Sequence, residues 1–93
     1  MIKIKDYPTS LYIGGEEYTI RFCNIKHCGD TNAATKMIRI RRGMSERETL
    51  ATLVHELLHA GEFEFGIKVK HKAIYKFERA IMSLLLDNFF LNK

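Results

Sequence analysis

The sequence predicts an α+β domain: a small antiparallel sheet of three strands, with room for a fourth, followed by two helices of which the second is the longer. Three observations carry this. Apolar residues alternate in twos through the first half of the chain and recur at helical spacing through the second. A capping box marks the border between the halves. At 93 residues, without repeats, low-complexity stretches or a linker, the chain reads as one domain spanning 1–93.

Leu11-Tyr12-Ile13 is the first strand. It runs into Gly14-Gly15 and then Glu16 to Phe22, where Tyr18, Ile20 and Phe22 share a face. Two strands joined by Gly-Gly predict a hairpin. Gly29-Asp30-Thr31-Asn32 reads as a polar loop, because Gly, Asp and Asn favour turns. The third strand is Lys36 to Arg41, with Ile38 and Ile40 facing one way and Met37, Arg39 and Arg41 the other. Ser45-Glu46-Arg47-Glu48 then opens a helix: the Ser45 hydroxyl takes the Glu48 amide, and the Glu48 carboxylate takes the Ser45 amide. Leu50, Leu53, Val54, Leu57 and Leu58 form its apolar face, and Gly61 is its expected stop. A second helix runs from about Val69 into Leu86 or beyond, with Ile74, Phe77, Ile81, Leu84 and Leu85 at helical spacing.

Fifteen basic against eleven acidic side chains leave a net charge of +4. The charges are scattered rather than massed in one run, so nucleic-acid binding is not signalled. No stretch approaches the ~20 apolar residues needed to cross a bilayer, so no membrane association is expected. Met1 to Asp6 alternates charged and aliphatic residues and lacks the apolar centre of a secretory leader. Two cysteines, Cys23 and Cys28, are too few for a disulfide framework. With His27 they offer only two sulfurs at a non-standard spacing, so a second metal site is not expected there. The expected location is the cytoplasm.

The chemistry lies in His55-Glu56-Leu57-Leu58-His59. Two histidines four apart on a helix share a face, with Cβ atoms about 6 Å apart. Both imidazoles can then reach one tetrahedral zinc at about 2.0–2.1 Å. Glu56 lies about 100° further around the helix. It misses the metal and falls beside a zinc-bound water, as general base for the attack of that water on a carbonyl. The helix itself is predicted from capping and periodicity, independently of the motif. A catalytic zinc needs a third protein ligand and an open fourth position. A metzincin continuation is excluded, since its glycine and histidine positions are held here by Glu62 and Phe65. Two candidates remain on the second helix, Glu78 and His71.

The run from His59 to Glu78, with 18 residues between them, resembles the gluzincins, in which a glutamate on the next helix follows His-Glu-x-x-His. In size and layout the chain is similar to the minigluzincins, with a short antiparallel sheet, an active-site helix and a glutamate helix. The resemblance implies a zincin-like fold, zinc as cofactor, His55, His59 and Glu78 as its ligands, and Glu56 as catalytic base. Three-histidine SprT-like proteins offer the other pattern, with His71 as ligand. Met82 stands where many gluzincins carry an acidic residue that orients a zinc histidine. Either that task passes to another group, Asp87 or a backbone carbonyl, or the histidine is less firmly held. More distantly, the motif resembles the ImmA/IrrE-type peptidases, which process a repressor.

His71, Tyr75 and Glu78 share a helix face. Tyr75, one turn from Glu78, is a candidate catalytic donor to an oxyanion. His71, two turns away, lies roughly 10 Å along the axis. Arg39 and Arg41 sit on a strand that in gluzincins borders the cleft and pairs with extended substrate. Leu84-Leu85-Leu86 and Phe89-Phe90-Leu91 are apolar almost all round, a surplus that suits a partner surface or a homodimer contact. The expected function is that of a zinc-dependent metallopeptidase, a hydrolase acting on peptide bonds of an intracellular protein or peptide. The competing expectation is a non-catalytic regulatory protein that keeps zinc as a structural clip.

Overall fold

The computed structural model describes residues 7–88, so the readings made on Met1 to Asp6 and on Phe89-Phe90-Leu91 lie outside the described residues. Four strands, β1 (Ser10–Ile13), β2 (Glu16–Cys23), β3 (Gly29–Asn32) and β4 (Met37–Arg41), precede α1 (Glu46–Phe65) and α2 (His71–Asn88). The α+β class holds. The fourth strand for which the sequence left room is present, in the order β1-β2-β4-β3, but the sheet is mixed rather than antiparallel, because β2 pairs with β4 in parallel. β1 and β2 form the hairpin expected at Gly14-Gly15, with Ile13 opposite Glu16.

The added strand is the segment that reads as a loop. Gly29-Asp30-Thr31-Asn32 has no apolar residue, so nothing in its own composition asks for a strand. Pairing imposes it: Asp30 lies opposite Arg39 and Thr31 opposite Ile38. The Asn32 side chain accepts from the amides of Ala34 and Thr35, closing the turn back into β4. This puts β4 in the interior of the sheet and β3 at its edge.

The core lies between the sheet and α1. Tyr18 and Ile20 of β2 and Ile38 and Ile40 of β4 meet Leu50, Leu53, Val54 and Ala60 of α1. Each fully buried large aliphatic contributes roughly 1.5–3 kcal/mol. α2 packs on α1 and adds Met82 to the core. Met82 is 7% exposed, which accounts for an apolar residue where the resemblance would place an acid.

Both helix boundaries move. Ser45 caps α1, and the reciprocal capping box with Glu48 is present. The helix continues through Gly61 to Phe65 and stops at Gly66, whose φ of 63° lies in the left-handed region that glycine adopts most readily. A mid-helix glycine costs about 1 kcal/mol, and contacts beyond it outweigh that. In the last turn Glu64 Oε2 accepts from the buried Tyr18 hydroxyl and from Lys36 Nζ, each at 2.5 Å. Those bonds, Lys36 first, hold the Glu64 carboxyl below its usual pKa. Burial, then the bond to Glu64, pushes the Tyr18 phenol up to about 12. α2 begins at His71 rather than Val69: its first backbone bonds run from Ala73 and Ile74 to the Lys70 carbonyl, and the Val69 amide before them is taken by the Glu62 side chain. At 18 residues it is not the longer helix among the described residues; α1 has 20. No helix among them is long and apolar enough to cross a membrane.

Candidate metal centre

α1 and α2 run antiparallel, and the motif faces the groove between them. His55 and His59 come one turn apart on α1 and turn toward one another, with Nε2 atoms 3.1 Å apart. Each ring is held from behind by a carboxylate. His55 Nδ1 lies 2.7 Å from Glu78 Oε1, and His59 Nδ1 lies 2.8 Å from Glu62 Oε1. An ionised carboxylate only accepts, so each Nδ1 is the donor, and in the neutral ring Nε2 then presents a lone pair. Two lone pairs facing at 3.1 Å repel unless a proton or a cation lies between them.

His71, the first residue of α2, completes the group. Its ring centroid is 5.3 Å from that of His55 and 5.3 Å from that of His59. One ring nitrogen from each of His55, His59 and His71 can be chosen so that all three lie within 4.8 Å of one another. Three nitrogens on a tetrahedral zinc, at about 2.1 Å each, would sit about 3.4 Å apart. The donor chemistry and the separations therefore suit zinc, with small side-chain adjustments for His71.

The structure brings His55, His59, Glu56, Tyr75, Glu78 and His71 to one cavity of about 630 Å³. Within it Glu78 lies behind His55, on the ring nitrogen that faces away from His59. It thus occupies the place the sequence reading gave to Asp87 or a carbonyl. Asp87 instead accepts from Ser83, one turn along α2. The Tyr75 ring is 5.0 Å from His55 and 5.1 Å from His71, and is 52% exposed. Glu56 points from α1 toward β3, only 6% exposed, and Thr31 Oγ1 donates to its Oε1 at 2.8 Å. That approach depends on Gly29. A Cβ there would stand 2.7 Å from Thr52 Cγ2 and 2.8 Å from the Arg39 carbonyl oxygen.

Two residues in this arrangement went unnoticed in the sequence. Glu62 follows His59 by three on a helix, a spacing at which side chains meet. It also takes the Val69 amide through Oε2, at 2.9 Å. That backbone bond, then the bond from His59, lowers its pKa. Thr31 gave no signal, because its segment read as a loop. Arg39 and Arg41 do not border the cleft as a free strand edge: β4 is paired on both sides. Arg39 is held by Asp30, and Arg41 donates to the Lys26 carbonyl. His27 pairs with Asp30 at 2.7 Å, and Cys23 and Cys28 are both free thiols. No family model, curated protein sequence or solved structure gives a significant match to this chain.

Proposed function

We propose that this chain is a zinc-dependent peptide hydrolase of the cytoplasm, with a zincin-like site in which His55, His59 and His71 hold the metal. The observation that carries the reading is the convergence of three imidazoles beside a buried glutamate, with carboxylates behind two of the rings. Glu78 then orients His55 and raises its basicity rather than binding metal, and Glu62 does the same for His59. The ligand pattern is closer to the SprT-like histidines than to the gluzincin glutamate.

When bound, zinc supplies Lewis-acid polarisation and lowers the pKa of water toward neutrality. The remaining work falls to the chain. Glu56 Oε1 is held by Thr31, and Oε2 carries no protein hydrogen bond among the described residues, so Oε2 is the atom free to take a proton from water. The water oxygen forms the new bond to the carbonyl carbon and the C–N bond breaks. The proton taken by Glu56 passes to the leaving nitrogen. The Tyr75 hydroxyl is the candidate donor to the oxygen that gains charge.

Glu56→Gln tests this. The variant should keep fold and zinc, measured by thermal unfolding and elemental analysis, and lose ~10² to 10⁴ in cleavage rate. Equal cleavage by both proteins with metal retained would reject the hydrolase and leave the structural-clip reading.

A further inference from the structure

The cavity over the histidines does not end there. It shares Asp30, Thr31 and Ala33 with a second cavity of about 520 Å³ along the β3–β4 hairpin. On the other side it shares Ala51 and Glu78 with a third, of about 300 Å³, between the first half of α1 and the second half of α2. The two smaller cavities thus adjoin the histidine cavity on either side, each sharing wall residues with it. Cavities on both sides of a reacting centre suit an extended chain rather than a small molecule.

The helix-lined arm carries a specific charge pattern. Arg47 from α1 and Arg79 from α2 both line it, together with Met82 and Leu86. Among the described residues neither arginine forms an ion pair, whereas Arg39 is held by Asp30, and Arg41 and Arg42 donate to backbone carbonyls. Of the two carboxylates in the arm, Glu78 is committed to His55, and Asp87 accepts from Ser83.

We infer that the α1–α2 arm is a subsite for a carboxylate-bearing residue of the substrate, so that the preferred substrates are acidic peptides. Arg47 and Arg79 would be the specificity-determining residues. Guanidinium forks match a carboxylate geometrically and cannot lose their charge. The inference rests on the hydrolase reading only for the word substrate; the subsite itself is tested without any cleavage. A peptide fits better than a nucleic acid, because Arg47 and Arg79 line one small, partly apolar cavity that has no aromatic platform for base stacking.

The test uses zinc-loaded full-length Glu56→Gln protein, which cleaves nothing under the proposed mechanism. Two fluorescein-labelled dodecapeptides are compared by anisotropy at fixed salt, one of alternating serine and glutamate, the other of alternating serine and glutamine. The glutamate peptide should bind about tenfold more tightly, the worth of one charged hydrogen-bonded contact. Adding Arg47→Ala and Arg79→Ala should bring the two peptides to equal affinity, and the paired lysine variant should restore part of the preference. Equal binding of the two peptides to the parent protein, or a preference that survives the double alanine variant, overturns the subsite. So does a twelve-nucleotide single strand that binds more tightly than the glutamate peptide and depends on the same arginines. If the unmodified chain cleaves no peptide but the preference and its loss are observed, the subsite stands and the hydrolase reading falls.

Discussion

α1 carries two polar networks that use the same residue types to opposite ends. At its last turn Glu64 meets a cation and a phenol, Lys36 and Tyr18, and every strong group is answered by its complement. In its middle, His55 and His59 are each backed by a carboxylate, yet their Nε2 atoms face one another and His71 closes the ring around them. The first network is closed and holds the helix to the sheet. In the second the carboxylates stand behind the rings and the two Nε2 atoms face inward, the geometry on which the proposed metal site rests.

The largest effects should come from the inward-facing network. Alanine at His55, His59 or His71 should abolish zinc uptake in a competitive metal titration. Glu78→Gln, which removes only the support behind His55, should weaken affinity ~10–100-fold. The reverse result for the last pair, with zinc retained in His71→Ala and lost in Glu78→Gln, would make Glu78 the ligand and His71 a bystander.

Gly29 links the networks to the sheet, since it lets β3 approach α1 closely enough for Thr31 to reach Glu56. Gly29→Ala forces a methyl against backbone and should destabilise by about 1–3 kcal/mol, read from the urea midpoint. Activity should fall further than stability, because Glu56 loses its positioning contact.

Acid should loosen the closed network. The Glu64 carboxyl is held below its ordinary pKa by Lys36 and then Tyr18, and Asp30 is held at about 2 by Arg39, then by His27. A carboxyl depressed in the folded state stabilises at pH above its ordinary value, and that stability is lost as pH falls. The urea midpoint should therefore start to drop below about pH 4.5 and keep dropping toward pH 2. Glu64→Gln should flatten the upper part of that fall, and an unchanged profile would mean the clamp contributes nothing. The smallest effect belongs to the start of the helix, away from both networks. Ser45→Ala removes the acceptor for the Glu48 amide and should cost about 1 kcal/mol without changing zinc affinity.

Local chemistry made much of the molecule legible in the sequence. The α+β class, the Gly14-Gly15 hairpin, the inward faces of β2 and β4, the Ser45 cap and the shared face of His55 and His59 all follow from periodicity, turn chemistry and helix geometry within a few residues. The rest was decided between distant segments. β3 exists because β4 lies beside it, and the parallel pairing of β2 with β4 follows from that insertion. α1 outruns Gly61 because Glu64 finds partners on β2 and in the turn before β4. The relative positions of His71 and Glu78 depended on the same kind of fact. Distance along α2 puts His71 two turns from Glu78, but α2 runs antiparallel to α1, so His71 comes to the level of His59 while Glu78 reaches His55 from behind. Spacing along one helix orders its residues; only the packing of the second helix against the first determines which of them reach the same point.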